Sequence, residues 1–116
     1  MVFKRWDVVK LPFAVEGTPE YRPALVIVAG DILRQHGLLW VLMITSQRNK
    51  GWPGDVEIED TIGAGLGVPS VVRTAKIMTV EAGKAELIGS LLGGQRKEVG
   101  ERVFAAMGLA GAPLPA

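Results

Sequence analysis

Short apolar runs of strand length, cut at close intervals by glycine and proline, leave this chain few folds to choose from. Trp6 to Leu11 reads as a first strand ending at Pro12, and residues 14–21 (AVEGTPEY) read as a loop because Gly17 and Pro19 break any period. Arg22 precedes Pro23, which biases it toward extended backbone at the entry of a buried strand reaching about Val28. Leu38 to Ser46 is a second apolar run. QRNKGWPGD (47–55) is expected to be a mobile connection turning at Gly51, Pro53 and Gly54. Val56 to Ile58, Ser70 to Val80 after the glycine-rich stretch 63–67, and Glu86 to Leu91 supply the remaining strands, and His36 beside Gly37 reads as a turn residue.

Only the end of the chain has a helical period. From Gln95 to Met107, Val99, Val103 and Ala106 fall on one face with Phe104 and Met107 beside it, and Lys97/Glu101 and Glu98/Arg102 form opposite-charge pairs one turn apart. Gly100 costs such a helix about 1 kcal/mol relative to alanine, and Gly93 and Gly94 offer no capping side chain. The helix must therefore draw its stability from packing over an open side of the sheet. Gly108 is a natural stop, so residues 1–109 read as a single domain and 110–116 as a flexible tail. Five or more strands with one terminal helix give the α+β class, as a compact antiparallel, barrel-like sheet.

A chain of 116 residues, 48% hydrophobic, can bury one modest core, with a net stability of about 5 to 10 kcal/mol. Cysteine is absent and His36 is the single histidine, which removes disulfides, thiolate metal sites and imidazole clusters from consideration. No cofactor is implied. The apolar runs are far too short to cross a bilayer and the first residues lack a signal-length apolar segment, so a cytoplasmic protein is expected. The net charge of +1 conceals an asymmetry: residues 1–50 carry +3 and residues 51–116 carry −2, with DVEIED (55–60) repelling phosphate.

Three polar interruptions stand out against the apolar runs: Arg22 opening RPALVIV, Thr45 and Ser46 closing LLWVLMITS, and Arg73 inside SVVRTAKIM. A cation in a strand costs desolvation unless an anion or a partner meets it. By strand alternation Arg22 shares a face with Ala24, Val26 and Val28, and Thr45 with Met43, Val41 and Leu39, both at expected strand ends beside loops. Structural roles are equally open to these residues. Arg22 could pair with Glu20 or Asp31, Arg73 could brace the dimer or the terminal helix through a carboxylate, Thr45 and Ser46 could simply lead into a turn, and Trp52 could be a lid over the core.

The strings DVVKLPF, YRPALVIV, LLWVLMITS, WPGDVEI, SVVRTAKIMTVEA and AELIGSL, in this order and spacing over about residues 4–107, resemble the PemK/MazF family of toxin ribonucleases from bacterial toxin-antitoxin pairs. The resemblance implies an SH3-like barrel sheet with a C-terminal helix, usually a homodimer, that cleaves single-stranded RNA at short sequences without metal and is neutralised by a cognate antitoxin. It implies catalytic roles for Arg22, Thr45 and Arg73; RNA contacts are expected in addition from Ser46, Arg48, Lys50 and Lys76, and from Trp52 by stacking on a base. One branch of the family also uses an aspartate two residues after the arginine matched by Arg73 and a histidine in the first loop. Ala75 and, by approximate alignment, Gly17 hold those positions here, and Trp6 stands where the family usually has glycine. A bulky ring at residue 6 is expected to alter the dimer edge or the first loop.

RNA carries its own nucleophile in the 2′-OH, so a protein can cleave it by alignment and by stabilising charge on the phosphoryl oxygens. Arg22 would supply forked donors and Thr45 one hydroxyl donor. Glu16, Glu20 and His36 are the candidate bases, by nearness in sequence alone. Two other functions stay open within the same fold: a non-catalytic toxin that binds DNA gyrase, like the related CcdB proteins, and a degenerate RNA or protein interaction module.

Overall fold

In a computed structural model of the protein, which describes residues 2–109, six antiparallel strands form one curled sheet with the spatial order β4-β5-β3-β2-β1-β6. They are β1 (Asp7–Val15), β2 (Thr18–Val28), β3 (Leu38–Ser46), β4 (Asp55–Glu57), β5 (Ser70–Glu81) and β6 (Glu86–Ser90). Two helices join them, α1 (Gly30–His36) and α2 (Gln95–Ala106). The expected α+β class, an antiparallel barrel-like sheet with a C-terminal helix, is observed, with the sheet curled into a half-barrel. The proposed tail, 110–116, lies outside the described residues.

Strand alternation sorts the apolar residues onto two faces. Val8, Leu25, Ile27, Leu42, Ile44 and Val72 point into the curl, where Trp6, Leu91 and the α2 residues Val99 and Val103 cover them. Val9, Leu11, Ala24, Val26, Leu39, Val41 and Met43 form a second cluster on the opposite face with Phe3 and Ala29. Lys97–Glu101 and Arg102–Glu98 pair along the exposed side of α2 at 4.0 and 3.6 Å, as the spacing predicts. Ala106 and Met107, expected on or beside the buried face, are exposed.

The sheet edges are bridged by the segment after β4. Ser90 N donates to Gly63 O at 3.1 Å, and a side chain at Gly89 would stand 2.3 Å from the Ala64 carbonyl carbon. Loop and strand therefore touch backbone to backbone, which only glycine permits.

Three local expectations are corrected. Residues 14–21 are not a loop: β1 and β2 form a long hairpin with Val15 paired to Thr18. Its two-residue turn has Glu16 at φ 51° and Gly17 at φ 80°, the signs a type I′ turn requires. The first strand also runs through Pro12, which lies beyond Lys10, the last β1 residue paired with β6, so one side of the strand there has no ladder to interrupt. His36 is the last residue of α1, a helix of seven residues closed by Gly37 at φ 66°; with no buried residue it leaves no apolar period to read.

Trp6 is likewise redirected. Its backbone holds φ 78°, the left-handed region where glycine is at ease, yet the ring is only 3% exposed and packs in the core with Leu91, Val99 and Val103. Its backbone N–H donates to Val26 O and its backbone carbonyl accepts from Leu91 N, both at 2.8 Å. The ring fills the interior rather than the first loop.

Candidate functional site

The ladder between β2 and β3 stops at the pair Ala24↔Met43. Past that point the two strands part: β2 continues into the hairpin with β1, and β3 continues along β5 to Ser46↔Ser70. A cavity of about 660 Å³ opens in this split, so side chains from both sheet faces reach it. Arg22 and Thr45 each stand two residues beyond the last pair, on the same face by alternation, and both line the cavity.

Arg22 is therefore in the middle of a long strand rather than at its entry. Its side chain is 44% exposed and Nη2 donates to Glu20 Oε2 at 3.3 Å, an ion pair of the kind the sequence allowed. Of the three candidate bases, Glu20 lines the cavity. Glu16 occupies the hairpin tip, and His36 lies at the far end of the sheet, on the order of 25 Å from Thr45 at the rise of an extended strand.

Thr45 leads out of β3 into a 3-10 turn, Gln47–Asn49. Ser46 Oγ caps that turn by accepting from Arg48 N at 3.2 Å, and Asn49 Nδ2 donates to Thr45 Oγ1 at 3.0 Å. The connection 47–55, expected to be mobile, is instead bolted to β5. Arg73 Nε and Nη2 donate to the two carboxylate oxygens of Asp55 at 3.2 and 3.1 Å, and Nη2 also donates to the Asn49 carbonyl at 2.7 Å. Asp55 further accepts from Gly51 N and Trp52 N at 3.3 and 3.2 Å, and the Trp52 ring lies 4.1 Å from the guanidinium carbon. Burial pushes the Asp55 carboxyl upward, but the hydrogen bond and charge of Arg73, with the two backbone N–H groups, outweigh it and hold the group below the ordinary aspartate value of 3.8.

Arg73, Ser46 and Lys76 line the same cavity as Arg22 and Thr45. Lys76 reaches it through a bulge: Leu42 pairs with Ile77 and Met43 with Arg73, leaving Thr74, Ala75 and Lys76 unmatched. Ala75, in the place of the branch aspartate, is exposed there. The other three residues assigned from sequence are not brought to this cavity. Lys50 and Trp52 line a neighbouring cleft of about 350 Å³, with Lys50 Nζ 3.6 Å from Glu57 Oε1, and Arg48 is exposed outside both.

The cavity also gathers residues that pattern reading passed over. Lys10 arrives from β1, opposite Pro23, pairing with Glu86 at 3.5 Å and standing 5.7 Å from the Tyr21 ring centre. Tyr21, Asn49 and the Gly65–Val68 segment also form part of the wall. Had residues 14–21 been read as a hairpin, the cross-strand register would have located Lys10 and Tyr21. Lys10, Arg22, Arg73 and Lys76 face one lining carboxylate, Glu20, and Arg73 is already neutralised by Asp55. A concave, locally cationic surface with a hydroxyl beside it suits an oxyanion such as a phosphodiester.

Comparison with known proteins agrees with this architecture. A MazE–MazF complex from Deinococcus radiodurans contains a chain 25% identical over 95% of this chain and 99% of that one, with a TM-score of 0.75. MazF from the same organism is 26% identical over 93% of this chain and 98% of its own, at 0.72. An endoribonuclease in complex with its cognate antitoxin from a mycobacterial species shares the fold at 15% identity, covering 96% and 100% of the two chains, with a TM-score of 0.74. No curated protein matches the chain. Residues 4–107 match the family model for the PemK-like, MazF-like toxin of type II toxin-antitoxin systems, and the chain belongs to that family.

Proposed function

We propose that the protein is a sequence-selective endoribonuclease toxin that cleaves single-stranded RNA without metal, through attack of the 2′-OH on the adjacent phosphorus. The observation that carries this reading is the convergence of Arg22 and Thr45 on one cationic cavity at the split between β2 and β3. The guanidinium presents forked N–H donors and the hydroxyl a further one to the phosphoryl oxygens, where charge grows as the new bond forms. Glu20, beside Arg22, takes the 2′-OH proton. The 5′ oxygen leaves with a proton from water in the open cavity and secondarily from Arg22, giving a 2′,3′-cyclic phosphate and a 5′-OH. Arg22 acts mainly through charge, since a guanidinium parts with its proton reluctantly.

Arg73 serves this site by holding it together, because Nε and Nη2 are committed to Asp55 and Asn49. Lys10 and Lys76 draw the flanking phosphates, and the half-exposed Trp52 offers a stacking surface in the adjoining cleft. We further assign the protein a cognate antitoxin whose acidic segment competes for the same cations, a homodimeric state, and a cytoplasmic setting. Its relatives in antitoxin complexes support the first of these, and no helix among the described residues is long and apolar enough to cross a membrane.

Purified protein incubated with end-labelled RNA in EDTA tests the reading. Cleavage that vanishes in Arg22→Ala is the expected result. Intact RNA together with inhibited DNA supercoiling by gyrase would replace the nuclease with the CcdB-like alternative, and RNA binding without turnover would leave an interaction module.

A further inference from the structure

For Thr45 to donate to a phosphoryl oxygen, its single hydroxyl proton must point into the cavity. A threonine hydroxyl has one proton and two lone pairs, and free rotation spreads the proton over several directions. In this fold the Asn49 amide donates to Thr45 Oγ1 at 3.0 Å and so occupies a lone pair from the protein side. An amide NH2 has no lone pair to offer in return, so it cannot draw the threonine proton toward itself. Asn49 lines the same cavity and is itself held: the 3-10 turn that carries it is closed by Lys50 N donating to Gln47 O at 3.1 Å, and Arg73, forked onto Asp55, donates to its carbonyl at 2.7 Å.

We propose that Asn49 is a positioning residue that sets the Thr45 hydroxyl so its proton is presented to the phosphoryl oxygen, with the Asp55–Arg73 pair anchoring Asn49 from behind. The inference rests on the endoribonuclease reading and deepens it. It gives the buried ion pair a catalytic consequence without any contact between that pair and RNA.

The test compares single-turnover cleavage by the wild type, Asn49→Ala, Asn49→Asp, Thr45→Ala and the Thr45→Ala/Asn49→Ala double variant. Affinity is measured separately on an oligonucleotide carrying 2′-deoxy sugar at the cleavage position. Asn49→Ala should lower the cleavage rate about tenfold with unchanged affinity, since it misdirects one donor rather than deleting it. Asn49→Asp should fall further, because its carboxylate accepts the threonine proton. In the Thr45→Ala background, Asn49→Ala should change the rate by less than about twofold. An equal loss in both backgrounds would overturn the proposal, because Asn49 would then act on something other than Thr45. A second readout is independent of turnover: the three-bond coupling between Hβ and the hydroxyl proton of Thr45, recorded at low temperature, should report one orientation about Cβ–Oγ1 in the wild type and averaging in Asn49→Ala, and an unchanged coupling would also overturn it. Absence of cleavage by the wild type would remove the ribonuclease reading and the catalytic consequence with it, while the couplings would still decide whether Asn49 fixes the hydroxyl.

Discussion

Arg22 on β2 and Thr45 on β3 stand two residues past the last pair of their shared ladder, Ala24↔Met43, on one sheet face and in the wall of one cavity. Continuing the register would set them opposite one another, and where the strands part instead, a guanidinium and a hydroxyl are left in the wall of the same cavity. Arg22→Ala and Arg22→Lys should each lower RNA cleavage a hundredfold or more, roughly 3 kcal/mol of transition-state stabilisation, because lysine lacks the fork. Thr45→Ala should lose about tenfold to a hundredfold. Thermal unfolding of the Arg22 variants should match the wild type within about 0.5 kcal/mol, since the exposed Glu20 pair contributes little.

Asp55 makes the site's order pH-dependent. Its carboxyl is held below its ordinary value in the folded protein, so the unfolded chain binds the proton more readily. Its stabilising contribution is therefore complete above about pH 5 and is lost as pH falls through the folded value. Asp55→Asn should flatten that part of the acid limb in unfolding measurements. It should also destabilise the protein at neutral pH by about 3 kcal/mol or more, because Arg73 is left nearly buried without its anion.

Trp6→Gly sets two effects against each other. Relieving a left-handed backbone gains about 1 to 2 kcal/mol, whereas emptying the ring's place beneath α2 costs about 3 to 5. Net destabilisation of about 2 kcal/mol is expected in denaturant titration. A stabilised variant would mean that the ring contributes little to the core.

Gly89→Ala should push the 63–65 backbone off β6, since the new methyl would meet Gly63 O at 2.6 Å and the Ala64 carbonyl carbon at 2.3 Å. Overpacking of this kind costs about 1 to 3 kcal/mol. Because the following residues Gly65–Val68 wall the cavity, cleavage should fall together with stability, which separates this variant from Arg22→Ala.

Much of this arrangement was readable in the chain, and what was not has physical causes. Alternation alone put Arg22 with Ala24 and Thr45 with Met43, because a half-buried strand fixes which side each residue faces. The hairpin escaped because a glutamate at positive φ is not a turn signal, and because Pro12, Pro19 and Pro23 read as breakers. Without that hairpin, Lys10 had no register tying it to Pro23. α1 is too short and too exposed to show a period. Arg73 stands out in the sequence as a cation in a strand, but its commitment to Asp55, 18 residues earlier, depends on a β4–β5 pairing that sequence spacing does not specify.

The central claim, that Arg22 and Thr45 grip one phosphodiester, is met most directly by a crystal structure with a single-stranded RNA carrying 2′-deoxy sugar at the cleavage position. The account predicts the adjacent phosphate within about 2.7 to 3.1 Å of both the Arg22 guanidinium and Thr45 Oγ1. A bound strand whose phosphate touches one of them and lies beyond reach of the other would contradict it.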